Sequence, residues 1–222
     1  MKIALVGGTG DIGTGFALRW AIAGHDVIVG SRKAEKALES AKGTLDLLGG
    51  AGGKVQGMDN ASAIKAGEVI VLAVPYEHLN SVTLELKDAY TTQIVVSPVV
   101  PMEYSGKFFK FVPPMEGSAA IQAKGLLPDS VKLASAFHTI CASALQDKNR
   151  VLKGDTLICG DDAEAKEVVK ALAKDIKDLR PLDAGPLSAS SMVESLTPML
   201  LNIARRNKMK DVGVKILEER QI

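Results

Sequence analysis

The sequence predicts an α/β fold: a Rossmann-like doubly wound parallel sheet with a small C-terminal α/β subdomain. Short runs of Val, Ile and Leu recur along the 222 residues, and helical patterns separate most of them. Continuous apolar runs are typical of parallel strands that are covered on both faces. The alternation of strands with helices therefore favours the doubly wound architecture.

Seven apolar runs predict the strands, and Gly, Pro or Asp bounds most of them. They are residues 3–7, 26–30, 69–75, 93–100, 131–137, 156–160 and, more weakly, 180–185. The Gly-rich stretch 49–57 is predicted to be a loop. The aromatic-rich and Pro-rich stretch 101–130 interrupts the alternation a second time.

The clearest helical patterns lie at 12–23, 163–178 and 188–207. The first is apolar and Ala-rich, and the second places its apolar residues on one face at four-residue steps. The third begins with serines that suit an N-cap. It also contains Pro198, which predicts a kink because proline cannot complete the helical hydrogen bonding.

The composition is that of an ordinary globular protein, with 46% hydrophobic and 24% charged residues and a net charge of +1. Such a balance gives no argument for binding to nucleic acid or to an anionic membrane surface. No apolar run reaches the roughly 18 residues that span a bilayer. The two cysteines show no paired or metal-like spacing, which favours free thiols in a reducing compartment. We therefore expect a cytoplasmic protein.

The first turn reads GGTGDIGTG at 7–15, and Gly8, Gly10 and Gly13 fit the pattern G-x-G-x-x-G. The pattern alone is weak, but here a strand precedes it, a helix follows, and a second strand arrives at 26–30. Glycines at these places permit a tight turn, close approach to a pyrophosphate, and close packing of the helix on the strand. The helix N-terminus then attracts the phosphates. The alternative is a Gly-rich turn without a ligand.

The end of the second predicted strand carries Ser31, Arg32 and Lys33, with Lys36 one helical turn further on. Chains that prefer NAD usually place a carboxylate here, which binds both ribose hydroxyls. A carboxylate would repel a 2′-phosphate, whereas a guanidinium, a hydroxyl and an ammonium bind one through charge-assisted hydrogen bonds. We therefore predict NADP as the preferred dinucleotide. The alternative is an ordinary solvated loop.

Further candidates follow the later strands, because ligands of this fold lie at the carboxyl ends of the strands. Tyr76 and His78 follow the strand at 69–75, and the segment 97–101 follows the next one. His138 follows the strand at 131–137 and could donate a hydrogen bond to a carbonyl of a bound ring or act as a general acid. Each of these residues could equally have a structural role instead of binding a ligand; His138, for example, could be a partly buried histidine with satisfied hydrogen bonds.

The chain lacks a convincing arrangement for proton transfer. None of its tyrosines is followed four residues later by lysine, which argues against a short-chain dehydrogenase. Its three histidines have no ligand spacing, so no metal site is predicted. Direct hydride transfer between two ring cofactors needs no such arrangement, because proximity and orientation alone supply roughly 7–11 kcal/mol of the barrier.

The sequence resembles the NADP oxidoreductases of methanogenic and related archaea that use coenzyme F420, a 5-deazaflavin. The matching segments span nearly the whole chain: GGTGDIG (7–13), VGSRKAEKA (29–37), VVSPVVP (95–101), HTI (138–140), CGDD (159–162) and RPLDAGPLS…VESLTPMLLNI (180–203). The resemblance implies reversible hydride transfer between the reduced deazaflavin and NADP, without a metal, a covalent intermediate or a catalytic side chain. It also implies a homodimer.

The resemblance further implies a division of the chain and a set of cofactor-binding residues. An NADP-binding domain at 1–137 is completed by a subdomain at 138–222 that closes the deazaflavin cleft. The implied residues are Thr9, Gly10, Asp11 and Ile12 in the nucleotide loop, Ser31, Arg32 and Lys36 at the 2′-phosphate, Val74, Tyr76, His78 and Val100 in the cleft, and His138, Ile140, Ala142 and Val212 near the rings. The sequence departs from the family pattern at Cys141, where proline is ordinary, and at Asp11, where asparagine is common.

Two other functions remain open on the sequence. Reductases of the pyrroline-carboxylate or 3-hydroxyacid type share the N-terminal pattern, but most have a long helical C-terminal domain. Only about 35 residues follow the last predicted strand here. A non-catalytic NADP-sensing module would bind the dinucleotide and use the apolar helix at 188–207 as the face for a protein partner.

Overall fold

The computed structural model describes residues 1–50 and 52–219. The strands of this part of the chain are β1 Lys2–Val6, β2 Asp26–Ser31, β3 Val55–Asp59, β4 Val69–Leu72, β5 Ile94–Ser97, β6 Met102–Tyr104, β7 Phe109–Phe111, β8 Lys132–Ser135, β9 Gly154–Gly160 and β10 Leu179–Gly185. Its α-helices are α1 Asp11–Ile22, α2 Ala34–Leu48, α3 Asn60–Ala66, α4 Leu79–Thr83, α5 Ala119–Leu126, α6 Ala142–Gln146, α7 Ala163–Lys174, α8 Ser190–Glu194 and α9 Leu196–Asn207. None of these helices combines the length and the apolar character that crossing a membrane requires.

Eight strands form one sheet in the order β10-β9-β8-β5-β4-β1-β2-β3, and β6 and β7 form a separate hairpin. The six strands from β8 to β3 in this order are mutually parallel, which confirms the predicted fold class. The sheet is not parallel throughout, since β9 pairs antiparallel with β8, and β10 pairs parallel with β9 in the reversed direction. The carboxyl ends of β9 and β10 therefore lie at the opposite edge from those of the other six strands.

The alternation along β1 divides the core between the two faces of the sheet. Ile3 and Leu5 pack with Phe16 and Trp20 of α1, and these two rings stack with their centroids 4.6 Å apart. Ala4 and Val6 point the other way and pack with Ile64 and Leu79, among others. Both faces are covered because successive side chains of a strand point to opposite sides.

Three local predictions were wrong. The stretch 49–57 is not entirely a loop, because its last residues begin β3, which pairs with β2. The pattern at 188–207 is two helices that meet at Ser195, not one kinked helix. Pro198 explains the break, because it has no N–H to donate to the carbonyl four residues earlier. The serines do not cap this segment, since Ala189 is the N-cap of α8.

The division between 137 and 138 stays a prediction. β9, α7 and β10 form a β-α-β unit of their own, and they also extend the main sheet through the pairing of β9 with β8.

Candidate functional site

The turn after β1 has the geometry that the glycine pattern predicts. A Cβ on Gly13 would lie 2.5 Å from the Cα of Gly8, so the start of α1 packs against the turn with no room for a side chain. Gly10 is the N-cap of α1 and has no side-chain cap, and a Cβ there would meet nothing within 4 Å. The first N–H groups of α1 are thus available to a phosphate.

A cavity of about 630 Å³ lies beside this turn at the carboxyl ends of β1, β2 and β4. It brings together seven of the predicted site residues: Thr9, Gly10, Ser31, Arg32, Lys36, Val74 and His78. They share one cavity because parallel neighbouring strands end at the same edge of the sheet. We call it the nucleotide cavity. Gly8, Asp11, Ile12 and Gly13 are not part of its lining, although they shape the turn.

One corner of the nucleotide cavity is strongly cationic. Arg32, Lys33 and Lys36 line it and are exposed, and none of the three forms an ion pair with another residue that the structure describes. Ser31 is 7% exposed beside them, and its hydroxyl accepts a hydrogen bond from the backbone N–H of Lys33 at 3.3 Å. A hydroxyl with unneutralised cations around it suits a phosphate dianion.

Sequence reasoning missed Asn60 in this cavity. The residue is 6% exposed, and its side-chain carbonyl accepts a hydrogen bond from the backbone N–H of Gly7 at 3.1 Å. It follows directly on β3, so the interpretation of 49–57 as a loop hid its position. The carboxyl group of Asp59 caps α3 by accepting a hydrogen bond from the backbone N–H of Ser62 at 2.9 Å. An aspartate that lies at the end of a strand and directly precedes a helix is a typical N-cap, and this was the sequence signal that could have located Asn60.

A second, apolar cavity of about 110 Å³ contains three further predicted residues, His138, Ile140 and Val212. Helix α9 forms one side of it through Thr197 and through Leu200, Leu201 and Ala204, which follow Thr197 at three, four and seven residues and so share one face with it. The hydroxyl of Thr197 donates to the backbone carbonyl of His138 at 2.8 Å, which ties α9 to the segment after β8. We call it the apolar cavity. It shares no lining residue with the nucleotide cavity.

The imidazole of His138 is buried, and neither ring nitrogen makes a hydrogen bond of good geometry with a residue that the structure describes, although the backbone of Ser97 lies near enough to oppose the fall in its pKa. Burial lowers its pKa to about 4, so the ring is neutral at pH 7. A neutral imidazole donates one N–H but is not an acid at that pH, which argues against the general-acid role. An orphaned buried polar group calls for an explanation, and a ring carbonyl of a bound ligand is one that its chemistry permits.

Three predicted residues line neither cavity. Tyr76 is half-buried, and burial, followed by the nearby Glu116, raises the pKa of its hydroxyl. Val100 and Ala142 are also half-buried. Val100 lies three residues after the end of β5, and Ala142 lies seven residues after the end of β8. Both therefore follow strands whose carboxyl ends lie at the edge where the cavities open. Their contact with a ligand stays a prediction.

Comparisons with known proteins show the family and the fold. A family model described as coenzyme F420-dependent NADP oxidoreductase matches residues 2–101. The F420-dependent NADP reductase of Methanocaldococcus jannaschii is 40% identical over 220 residues, which cover 97% of this chain and 98% of that protein. The enzyme of the same name from Methanothermobacter thermautotrophicus is 36% identical over 219 residues, covering 97% and 94%. A crystallised protein from Arthrobacter sp. FB24, described as a candidate F420-dependent NADP reductase, has the same fold, with a TM-score of 0.81, 23% identity, and coverage of 98% of this chain and 100% of that chain.

Proposed function

Because the chain belongs to the coenzyme F420-dependent NADP oxidoreductase family, we propose that it transfers a hydride reversibly between reduced coenzyme F420 and NADP. One observation carries the proposal: a cationic nucleotide cavity and a separate apolar cavity lie along the same edge of the sheet. Two flat substrates held at one edge can meet without any side chain acting as a base.

The nucleotide cavity would hold NADP. The free N–H groups at the start of α1 face the pyrophosphate, and Ser31, Arg32 and Lys36 bind the 2′-phosphate. Lys33 adds a charge to that corner. Asn60 holds the backbone of Gly7, which keeps the turn in shape for the dinucleotide.

The apolar cavity would hold the ring of the deazaflavin. The reduced ring supplies a hydride, and the nicotinamide accepts it. His138 offers a neutral N–H to a ring carbonyl, while Ile140, Leu200 and Val212 exclude water from its surroundings. The contacts of Tyr76, Val100 and Ala142 and the role of 138–222 in closing the cleft remain part of this proposal.

The proposal is tested by following the transferred atom. Reduced coenzyme F420 that carries deuterium at both positions of ring carbon 5 is mixed with the protein and NADP in ordinary water. Direct transfer predicts NADPH that carries one deuterium per molecule, because no exchangeable side-chain proton intervenes. Mass spectrometry of the NADPH measures the label, and absorbance of the deazaflavin measures the rate.

Other outcomes point to other functions. Loss of the label to water would contradict direct transfer. Oxidation of NADPH by an imine or a keto acid, with none by the deazaflavin, would identify a reductase of the pyrroline-carboxylate or hydroxyacid type. Tight binding of NADP without turnover of any acceptor would identify a sensing module.

We also propose a homodimer that forms through one exposed surface. The β6–β7 hairpin packs on α9, where the side chain of Asn202 bonds to both the N–H and the carbonyl of Phe109 at 2.8 Å. The apolar residues Met102, Phe108, Met199 and Ile203 are exposed on these two elements. Adjacent exposed apolar residues of this size mark an interaction surface.

For the homodimer we expect light scattering to give twice the mass of the 23.4 kDa chain. The substitution Ile203→Glu should convert the protein to monomers, because it places a charge within the apolar surface. Leu38→Glu, at an exposed leucine of α2, is the control and should remain dimeric. A wild-type mass of one chain would rule the homodimer out.

A further inference from the structure

The segment after α9 runs back along the main sheet and is fastened there by one buried residue, Asp155 of β9. The backbone N–H of Asp155 donates to the carbonyl of Val214 at 2.7 Å. The Asp155 carboxylate accepts a hydrogen bond from the backbone N–H of Ile216 at 2.6 Å. We call the segment 211–216 the tail. Asp155 thus makes hydrogen bonds to the tail at two positions, Val214 and Ile216.

Arg180 of β10 completes this attachment. The register of the sheet places Arg180 opposite Asp155, and its guanidinium donates to both carboxylate oxygens, at 2.8 and 2.7 Å. The same guanidinium donates to the backbone carbonyl of Ile216 at 2.5 Å. The side chain of Asp155 is 1% exposed, so loss of Arg180 would leave a buried carboxylate without its counter-charge.

A second attachment lies at the start of the tail. The carboxylate of Asp211 accepts hydrogen bonds from the hydroxyl of Ser143 at 2.6 Å and from the thiol of Cys141 at 3.1 Å, and it forms an ion pair with Arg150. These contacts, the bond from Ser143 first, lower the pKa of Asp211 to about 2. Cys141 has φ −76°, an angle that proline also adopts, so the departure from the family pattern needs no change of backbone.

Val212 lies between the two attachments. It is half-buried and lines the apolar cavity beside His138 and Ile140. Neither Asp155 nor Arg180 lines that cavity, and in the part of the chain that the structure describes their side chains bond to one another and to the tail. The side chains of the ion pair therefore reach the cavity through the tail, while the backbone carbonyl of Asp155 separately accepts a hydrogen bond from the hydroxyl of Thr139, a lining residue, at 3.4 Å.

We propose that Asp155 and Arg180 are positioning residues that hold the tail so that Val212 closes the apolar cavity over the deazaflavin. The inference rests on the proposed function for the identity of the ligand. Arg180 is the first residue of the segment RPLDAG (180–185), to which the sequence analysis gave no functional role. The proposal gives it one, which is to hold the tail. The pair affects the affinity for the deazaflavin and leaves the nucleotide cavity, at a distant part of the sheet, unchanged.

The test compares Arg180→Met, Val212→Gly and the double variant. Arg180→Met should raise KM for reduced coenzyme F420 about tenfold, which is a typical size for coupling through a positioned segment. KM for NADP and kcat should stay within about twofold of the wild type. Val212→Gly should raise KM for the deazaflavin similarly. The double variant should be no worse than Arg180→Met alone, because both changes act through one side chain.

Lys166→Met is the matched control. Lys166 of α7 forms an ion pair at 2.9 Å with Asp183 of β10, the strand that also carries Arg180. Neither Lys166 nor Asp183 bonds to the tail, so every KM should remain that of the wild type. Additive effects in the double variant, or an unchanged KM for the deazaflavin in folded Arg180→Met, would overturn the proposal.

Hydrogen exchange separates this inference from the proposed function. The amide of Ile216 donates to Asp155, and its exchange should speed up in Arg180→Met but not in Lys166→Met, whether or not the protein turns over. Unchanged exchange refutes the attachment itself. Faster exchange in Arg180→Met, together with no turnover of coenzyme F420 by the wild type, would leave the attachment standing but would refute the proposed function and, with it, the role of Val212 in closing the cavity.

Discussion

Replacing Arg32 by Asp is expected to lower the affinity for NADP by about 100-fold or more and to change the affinity for NAD little. One lost charge-assisted hydrogen bond costs about 1.5–3 kcal/mol, and the new carboxylate also repels the 2′-phosphate. A total of about 3 kcal/mol corresponds to about 100-fold in the dissociation constant. NAD has no 2′-phosphate, so it loses neither contribution.

The measurement is a titration of both dinucleotides against the wild type and Arg32→Asp, at low and at high salt. Lys42→Asp is the matched control, since it makes the same kind of charge reversal at an exposed position of α2 outside the nucleotide cavity. The control should bind NADP as the wild type does, apart from a small effect that salt removes. Equal losses for NADP and NAD in Arg32→Asp would contradict the assignment of the cationic corner.

Replacing Arg19 by Met is expected to lower the free energy of unfolding by about 4 kcal/mol, in the range for breaking a buried charged network. Arg19 lies in α1 and is only 5% exposed. Its guanidinium donates to four backbone carbonyls, those of Ala144, Leu145, Asp147 and Arg150, at 2.6 to 2.8 Å. Methionine replaces the aliphatic stem but removes the guanidinium donor. The carbonyl of Asp147 keeps a hydrogen bond from the backbone N–H of Arg150 at 3.0 Å, whereas each carbonyl that is left unsatisfied costs about 1–3 kcal/mol before relaxation.

Thermal unfolding followed by circular dichroism measures this effect. A loss of about 4 kcal/mol corresponds to a fall in Tm of about 10 °C for a chain of this size. Arg206→Met, at an exposed position in the last turn of α9, is the control and should unfold within about 1 °C of the wild type. A Tm for Arg19→Met equal to that of the control would show that the four carbonyls find water instead.

Arg19 also connects the core to the tail. It holds the backbone carbonyl of Arg150, whose side chain forms the ion pair with Asp211. The variant Arg19→Met should therefore loosen α6 and the attachment of the tail at Asp211 before the sheet unfolds. This order follows because α6 has five residues and depends on contacts with α1, where a Cβ on Gly15 would lie 2.6 Å from Leu145.

Residues that are close in sequence carried the successful predictions. The strand, glycine turn and helix at 2–22 form a local unit, and the cations that follow β2 within six residues line the nucleotide cavity. Their binding to a 2′-phosphate stays a prediction. Gly57 shows where local patterns misled. It resembles a loop glycine, yet it lies in β3, where a Cβ would come within 2.3 Å of the backbone of α2 at Ala37. The lack of a side chain at Gly57 allows β3 to pack closely against α2, and the sequence does not show that these two elements are in contact.

The sequence by itself determined the parallel core of the sheet, the position of the glycine turn and the cluster of cations after β2, since each depends on short-range periodicity or on charges beside one strand end. Only the tertiary structure decided that β9 and β10 run in the reverse direction, that His138 is buried and unpartnered, and that Arg180 faces Asp155 beneath the tail. Strand direction and register depend on which distant segments pack together, and no local pattern of residues encodes that choice.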